Sequence, residues 1–188
     1  MTGNFEKEII EELGRYKLVA RYQNGIHRGV LWRDGMKILD TEGESNAQVA
    51  QKLRADLCAL LISEKVPAEV AKVVDAMLHI WPNLEENQKQ MLQAHFHAPE
   101  RKMTARQLAS AVGYKDFSAT NLKYGNVGKQ LLQEIPRDIP KYPNTDEPIY
   151  TFAIADGARE SGAPTEEWVW VMRPEVAQAL LISGLVKA

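Results

Sequence analysis

Residues 104–135, TARQLASAVGYKDFSATNLKYGNVGKQLLQEI, read as two short helices joined by a tight turn. Thr104 and Gln107 have the spacing of a capping box, in which each side chain bonds the other residue's backbone N–H. Gly113 stands where the first helix must stop, and Ser118 is placed to cap the second. This is the pattern of a helix-turn-helix, a motif that presents one helix outward and commonly reads nucleic acid.

Placed at 100° per residue from Ser118, the second helix separates into two faces. Tyr124, Gly128, Leu131, Leu132 and Ile135 fall together, with Asn121 and Gly125 at the edge. Lys123, Asn126, Lys129, Gln130 and Gln133 gather opposite, with Glu134 the only carboxylate, at the margin. Asn and Gln amides can bond adenine edges in pairs, and Lys can contact guanine or phosphate. The candidate nucleic-acid contacts are therefore Lys123, Asn126, Lys129 and Gln130, with Arg106 and Lys115 on flanking phosphates. A solvated helix face would show the same polarity. Asn121 also reads as a buried, satisfied amide. The two glycines allow a close helix neighbour, or a bend or end in the helix.

Before this motif, a helix is expected around residues 5–13, followed by three strands at 16–22, 28–33 and 36–41. Asn24-Gly25 and Asp34-Gly35 are hairpin signals because both residue types tolerate positive φ. Ser45 with Gln48 then opens a helix whose apolar face runs through Val49, Leu53, Leu57 and Leu60–Leu61. Pro67 starts a second helix, and Pro82-Asn83 ends it at the best domain boundary. A third helix at 85–96 leads to Thr104. After the motif, four prolines between 136 and 148 mark an extended connector. Residues 149–154 and 167–172 are strand-like, separated by a polar loop at 156–165, and Pro174 begins a last helix ending near Gly184. Helix, helix-turn-helix, then β-hairpin is the order of a winged helix.

These elements predict an α+β protein of two domains. Residues 1–82 form a three-stranded β-meander with helices, and residues 83–188 a winged helix-like domain. Residues 5–62 also have the helix–strand–strand–strand–helix order of a double-stranded-RNA-binding domain, but residues 45–48 lack the lysine cluster that such domains set on phosphates.

The bulk properties agree with a compact protein. The 188 residues are 45% hydrophobic and 26% charged, with a net charge of −2. Residues 81–141 carry nine basic and six acidic side chains, whereas residues 142–188 carry three and seven. Positive charge thus concentrates around the paired helices, which favours polyanion contact there. The expected wing argues against it: Asp156, Glu160, Glu166 and Glu167 face Arg159 alone, and phosphates would repel that balance. No run of about 18 apolar residues predicts a membrane span, and the acidic start predicts no secretory signal, so a cytoplasmic location is expected. Cys58 is the only cysteine and reads as a small buried apolar residue.

Chemical motifs are absent. His95-x-His97 has no further ligand nearby, so no metal site is expected. There is no phosphate loop, dinucleotide fingerprint or nucleophile elbow, and the adjacent pairs Glu11-Glu12 and Glu85-Glu86 are solvated charges. A non-enzymatic protein without cofactors is expected.

The phrases HFHAP, TARQLASAVGY and ATNLKYG between Gln88 and Tyr124, with WVWVMRPEVAQAL near the end, resemble a small domain of bacterial and phage restriction-type proteins, where it often stands beside an HNH nuclease domain. The resemblance covers residues 84–186 and implies a DNA-related or defence-related setting. It transfers no active site, because the HNH metal-binding pattern is missing. The leading expectation is DNA binding or regulation. The alternative is a protein-interaction module, an inhibitor or accessory subunit that meets a nucleic-acid enzyme through its acidic C-terminal surface.

Overall fold

The computed structural model describes residues 7–159 and 168–187. The chain divides into two compact units, Met1–Pro82 with Ala179–Ala188, and Asn83–Gln178. Among the described residues no helix is long and apolar enough to cross a membrane.

The first unit holds an antiparallel meander of four strands in chain order: β1 (Ile9–Leu13), β2 (Tyr16–Gln23), β3 (Ile26–Arg33) and β4 (Met36–Gly43). The meander therefore has four strands and not three, and the expected opening helix is replaced by β1. The reason lies in Glu11, which is buried although charged because Arg54 reaches it at 2.7 Å. Ile10, by contrast, points to solvent. An inward carboxylate beside an outward isoleucine hides the period-two pattern that marks a strand. With a strand in first place, the order of a double-stranded-RNA-binding domain does not hold.

Turn chemistry sets the remaining hairpins. Asn24-Gly25 and Asp34-Gly35 both take positive φ, as tight two-residue loops require. Gly14, between β1 and β2, has φ +55°, and a Cβ there would lie 1.9 Å from the Ser183 carbonyl oxygen. Arg15 donates its backbone N–H to that same carbonyl at 2.7 Å, so the C-terminal segment closes on this turn.

Helix α1 (Asn46–Ser63) is capped by Ser45, whose hydroxyl accepts the Gln48 N–H at 3.1 Å. Its Val49, Leu53, Leu57 and Leu61 are almost fully buried. They cover the sheet face that carries Leu18 and Leu31, which are paired across β2 and β3. Helix α2 (Ala68–Ile80) packs beside α1. Cys58 is half-buried on α1, not fully enclosed, and burial pushes its thiol pKa up.

In the second unit, α3 (Glu86–His97) is followed by β5 (Lys102–Thr104), α4 (Ala105–Ala111) and α5 (Phe117–Glu134). A 3-10 turn, Tyr150–Ala153, leads into β6 (Ala155–Arg159), β7 (Trp168–Met172) and α6 (Pro174–Ile182). The C-terminal end of α6 belongs to the first unit. The second sheet is antiparallel, ordered β5-β7-β6. The capping box at α4 forms: Gln107 Oε1 accepts the Thr104 N–H at 2.8 Å, and Thr104 Oγ1 accepts the Gln107 N–H at 3.2 Å. Gly113 takes φ +74° just past that helix. The cap of α5 is Asp116 and not Ser118; its carboxylate accepts the Ser118 N–H at 2.9 Å.

The strand expected at 149–154 is also corrected. Tyr150–Ala153 is a 3-10 turn, and β6 begins only at Ala155. Helix α5 decides this. It runs unbroken through both glycines, and the Tyr150 carbonyl lies 2.0 Å from where a Gly128 Cβ would stand. The turn thus packs directly on the α5 backbone, where a continued strand has no room. Within β6, Gly157 leaves space for the Trp168 indole, whose Nε1 is 1.9 Å from the absent Cβ. Glycine is a poor strand former, so this strand is hard to see in sequence. The expected wing residues Glu160, Glu166 and Glu167 lie outside the described residues.

A charged cluster joins the connector after α5 to the end of the sheet. Glu175 accepts from Arg137 at 2.8 Å and from Arg173 at 2.7 Å, while Arg173 also reaches Asp156 at 2.8 Å. Burial alone would raise the Glu175 pKa, but the two guanidinium bonds outweigh it and hold the carboxyl down at about 2. A carboxyl depressed on folding contributes stability above its unfolded pKa and loses it as pH falls toward the folded value. Glu175→Gln is therefore expected to cost on the order of 2–3 kcal/mol at neutral pH, and little near pH 2. Urea denaturation at both pH values measures this; an equal loss at each would contradict the ion-pair account.

Candidate nucleic-acid interface

The buried side of α5 consists of Thr120, Tyr124, Val127, Gly128 and Leu131, and the helix packs on α3 and α4, where Met91, Leu92 and Leu108 are also buried. Leu132 and Ile135, expected on that side, are only half-buried. Two polar groups lock the arrangement. His95 is fully buried on α3, with Nδ1 2.7 Å from the Tyr124 hydroxyl and Nε2 3.0 Å from the Trp170 carbonyl. A carbonyl only accepts, so Nε2 carries the proton and Nδ1 accepts from Tyr124. Desolvation lowers the His95 pKa, which keeps the ring neutral. The first histidine of HFHAP thus ties α3 to α5 and β7. Among the described residues, no group of three or more His, Cys, Asp or Glu is placed to hold a metal.

With its apolar side inward, α5 turns the other side to a groove of about 860 Å³. Asn121, Leu122, Gly125, Asn126 and Lys129 line it from the helix, and Ala105 and Arg106 from the start of α4. Glu147, Tyr150, Thr151 and their neighbours line it from the connector, and Trp168 and Trp170 from β7. Such a volume falls within the roughly 300–1,000 Å³ of ordinary ligand clefts. Phe117, Leu122, Tyr142 and Trp168 are large apolar side chains that stay 36–65% exposed, and all four line this groove.

The structure brings three of the six candidate contacts together here: Arg106, Asn126 and Lys129, all exposed. The Lys129 ammonium sits 5.5 Å from the Tyr150 ring centroid, a cation–π distance. The others are placed differently. Lys123 is half-buried, with its ammonium 2.7 Å from a Glu85 oxygen. That hydrogen bond raises the lysine pKa and lowers the glutamate's. Gln130 is half-buried outside the groove, and Lys115 is exposed in the turn between α4 and α5. Asn121 is exposed and is not the buried amide that its position at the face edge suggests.

Of the aromatic part of the groove, Phe117, Tyr142 and Tyr150 escape the sequence reading, whereas Trp168 and Trp170 stand out in it as an apolar-rich strand that a partner could meet. Phe117, Tyr142, Tyr150 and Trp168 come from three separate segments, so no local spacing brings them together. One signal was present: Leu122 lies on the polar arc of the helix wheel, where a leucine has no core to fill. No family model, curated protein or solved structure matches this chain.

Proposed function

We propose that this chain is a non-enzymatic DNA-binding or regulatory protein in which residues 83–178 act as a winged helix-like reader. The element order α3-β5-α4-α5-β6-β7 and the sheet order β5-β7-β6 support that architecture. In it, α5 is the recognition helix and the β6–β7 hairpin the wing. The observation that carries the reading is the solvent face of α5, where Asn126 and Lys129 share one groove with Arg106 and the helix contributes no carboxylate to it. The amides would bond base edges, and the cations would hold phosphates. The restriction-type setting implied by the resemblance fits this function.

Mobility shift over a salt series tests it. With Arg106, Lys115 and Lys129 on phosphates, log affinity is expected to fall with log salt with a slope of about −2 to −3. Lys129→Ala reduces the slope by about 1, and Asn126→Ala weakens binding without changing it. Failure to bind mixed-sequence duplex at about 50 mM salt, where phosphate contacts are strong, overturns the proposal.

A second reading is a module that engages a nucleic-acid enzyme. Its support is Glu147 in the groove, the exposed apolar side chains there, and the acidic balance of residues 142–188. Copurification from the native host after nuclease treatment separates the two, since a protein partner survives the treatment and a DNA-bridged one does not.

A further inference from the structure

The groove beside α5 has a composition that a duplex reader does not need. A helix that reads a major groove from its polar face gains nothing from Phe117, Leu122, Tyr142 and Trp168 held open to water next to it. Exposed apolar groups of this size, gathered in one concavity, mark a binding site. Trp168 is also held in place. Its indole lies over Gly157, where any Cβ would collide with it, and its ring is 6.0 Å from Trp170 and 6.3 Å from Phe152. Phe152 and Trp170 meet edge to face at 5.3 Å behind it. The result is an aromatic surface fixed before any ligand arrives.

Around that surface stand the amides of Asn121 and Asn126 and the cations of Arg106 and Lys129. Glu147 lines the same groove from the connector. An aromatic surface takes the face of a base, amides take its edge, and cations take the attached phosphate. A carboxylate repels phosphate and accepts N–H donors, so Glu147 fits a base edge and not the backbone.

We infer that this groove receives a single unstacked nucleobase, from single-stranded nucleic acid or from an unpaired position in a duplex. The inference rests on the nucleic-acid reading above and makes it more specific. Stacking contributes about 1–3 kcal/mol per base, so an unpaired base gains roughly five- to 150-fold in affinity over paired duplex.

The test uses the full chain and three fluorescent DNA probes of one sequence: a 20-mer duplex, the same duplex with one unpaired nucleotide, and the single strand. The unpaired and single-stranded probes are expected to bind at least about fivefold tighter than the duplex. Trp168→Leu should remove that preference. Trp168 also packs against Phe152 and Trp170, so Phe117→Ala supplies a second variant on a side chain that is 47% exposed. It should reduce the preference severalfold. A photocrosslink from 5-iodouracil at the unpaired position should map to Phe117, Tyr142 or Trp168. Equal binding of all three probes with no such crosslink overturns the inference and leaves duplex binding standing. No binding of any probe at low salt overturns both.

Discussion

Gly128→Ala is expected to lower the unfolding midpoint by roughly 5–10 °C, whereas Gly125→Ala, one turn earlier, raises it by roughly 1–4 °C. Both substitutions relieve the same helix defect, since alanine is favoured over glycine in a helix interior by up to about 1 kcal/mol. What separates them is the opposite wall. A Cβ at Gly128 would stand 2.0 Å from the Tyr150 carbonyl oxygen, a backbone atom that no rotamer change can move aside. At Gly125 the nearest atom is Thr151 Oγ1 at 3.8 Å, an ordinary contact. The 3-10 turn must back away from α5 in the first variant, and overpacking of this kind costs about 1–3 kcal/mol or more. Because Tyr150 and Thr151 line the groove, the same shift should weaken nucleic-acid binding. Thermal denaturation of both variants, with a mobility shift on each, checks the pair. A stabilised Gly128→Ala protein would mean that the turn is not seated on the helix.

His95→Leu is expected to cost about 3–5 kcal/mol at neutral pH, because it strands the Tyr124 hydroxyl and the Trp170 carbonyl, each buried group adding about 1–3 kcal/mol when unpaired. Tyr124→Phe leaves only Nδ1 without its donor, so about 1–2 kcal/mol is expected. The histidine also predicts how stability responds to acid. Its pKa is lowered on folding by desolvation, so below pH 6.5 the unfolded chain takes up a proton that the folded chain refuses. Stability therefore rises with pH through that window and is lost as pH falls through 6.5 toward the folded value. In His95→Leu this part of the acid dependence disappears, and the gap between wild type and variant narrows as the medium is acidified. Denaturant titrations between pH 5 and 8 read the effect. A gap that stays constant would show that the ring is not held neutral inside. The Glu175 limb, at lower pH, is separate and remains in the variant.

Much of the local structure was legible because it depends on contacts within a few residues. The box at Thr104 and Gln107, the stop at Gly113 and the paired turns at Asn24-Gly25 and Asp34-Gly35 are all short-range. The burial of Tyr124 and Leu131 followed from helix periodicity in the same way. The misreadings have a common cause in distant partners. Glu11 looked like helix surface because its partner Arg54 is 43 residues away. Residues 149–154 alternate like a strand, yet the surface they meet is the bare backbone at Gly128. The helix wheel puts Lys123 among the outward cations, but Glu85, 38 residues earlier, holds its ammonium.

The candidate site divides along the same line. From the sequence alone came the two helices with the cap of the first, the inward face of the second and the polar residues available on its other side, since an i, i+3, i+4 pattern fixes which side chains share a face. Only the tertiary structure decided which of those polar residues open onto a common groove, and that Phe117, Tyr142 and Trp168 join them there. Proximity between residues far apart in the chain depends on how elements pack, and no helical or strand period encodes that distance.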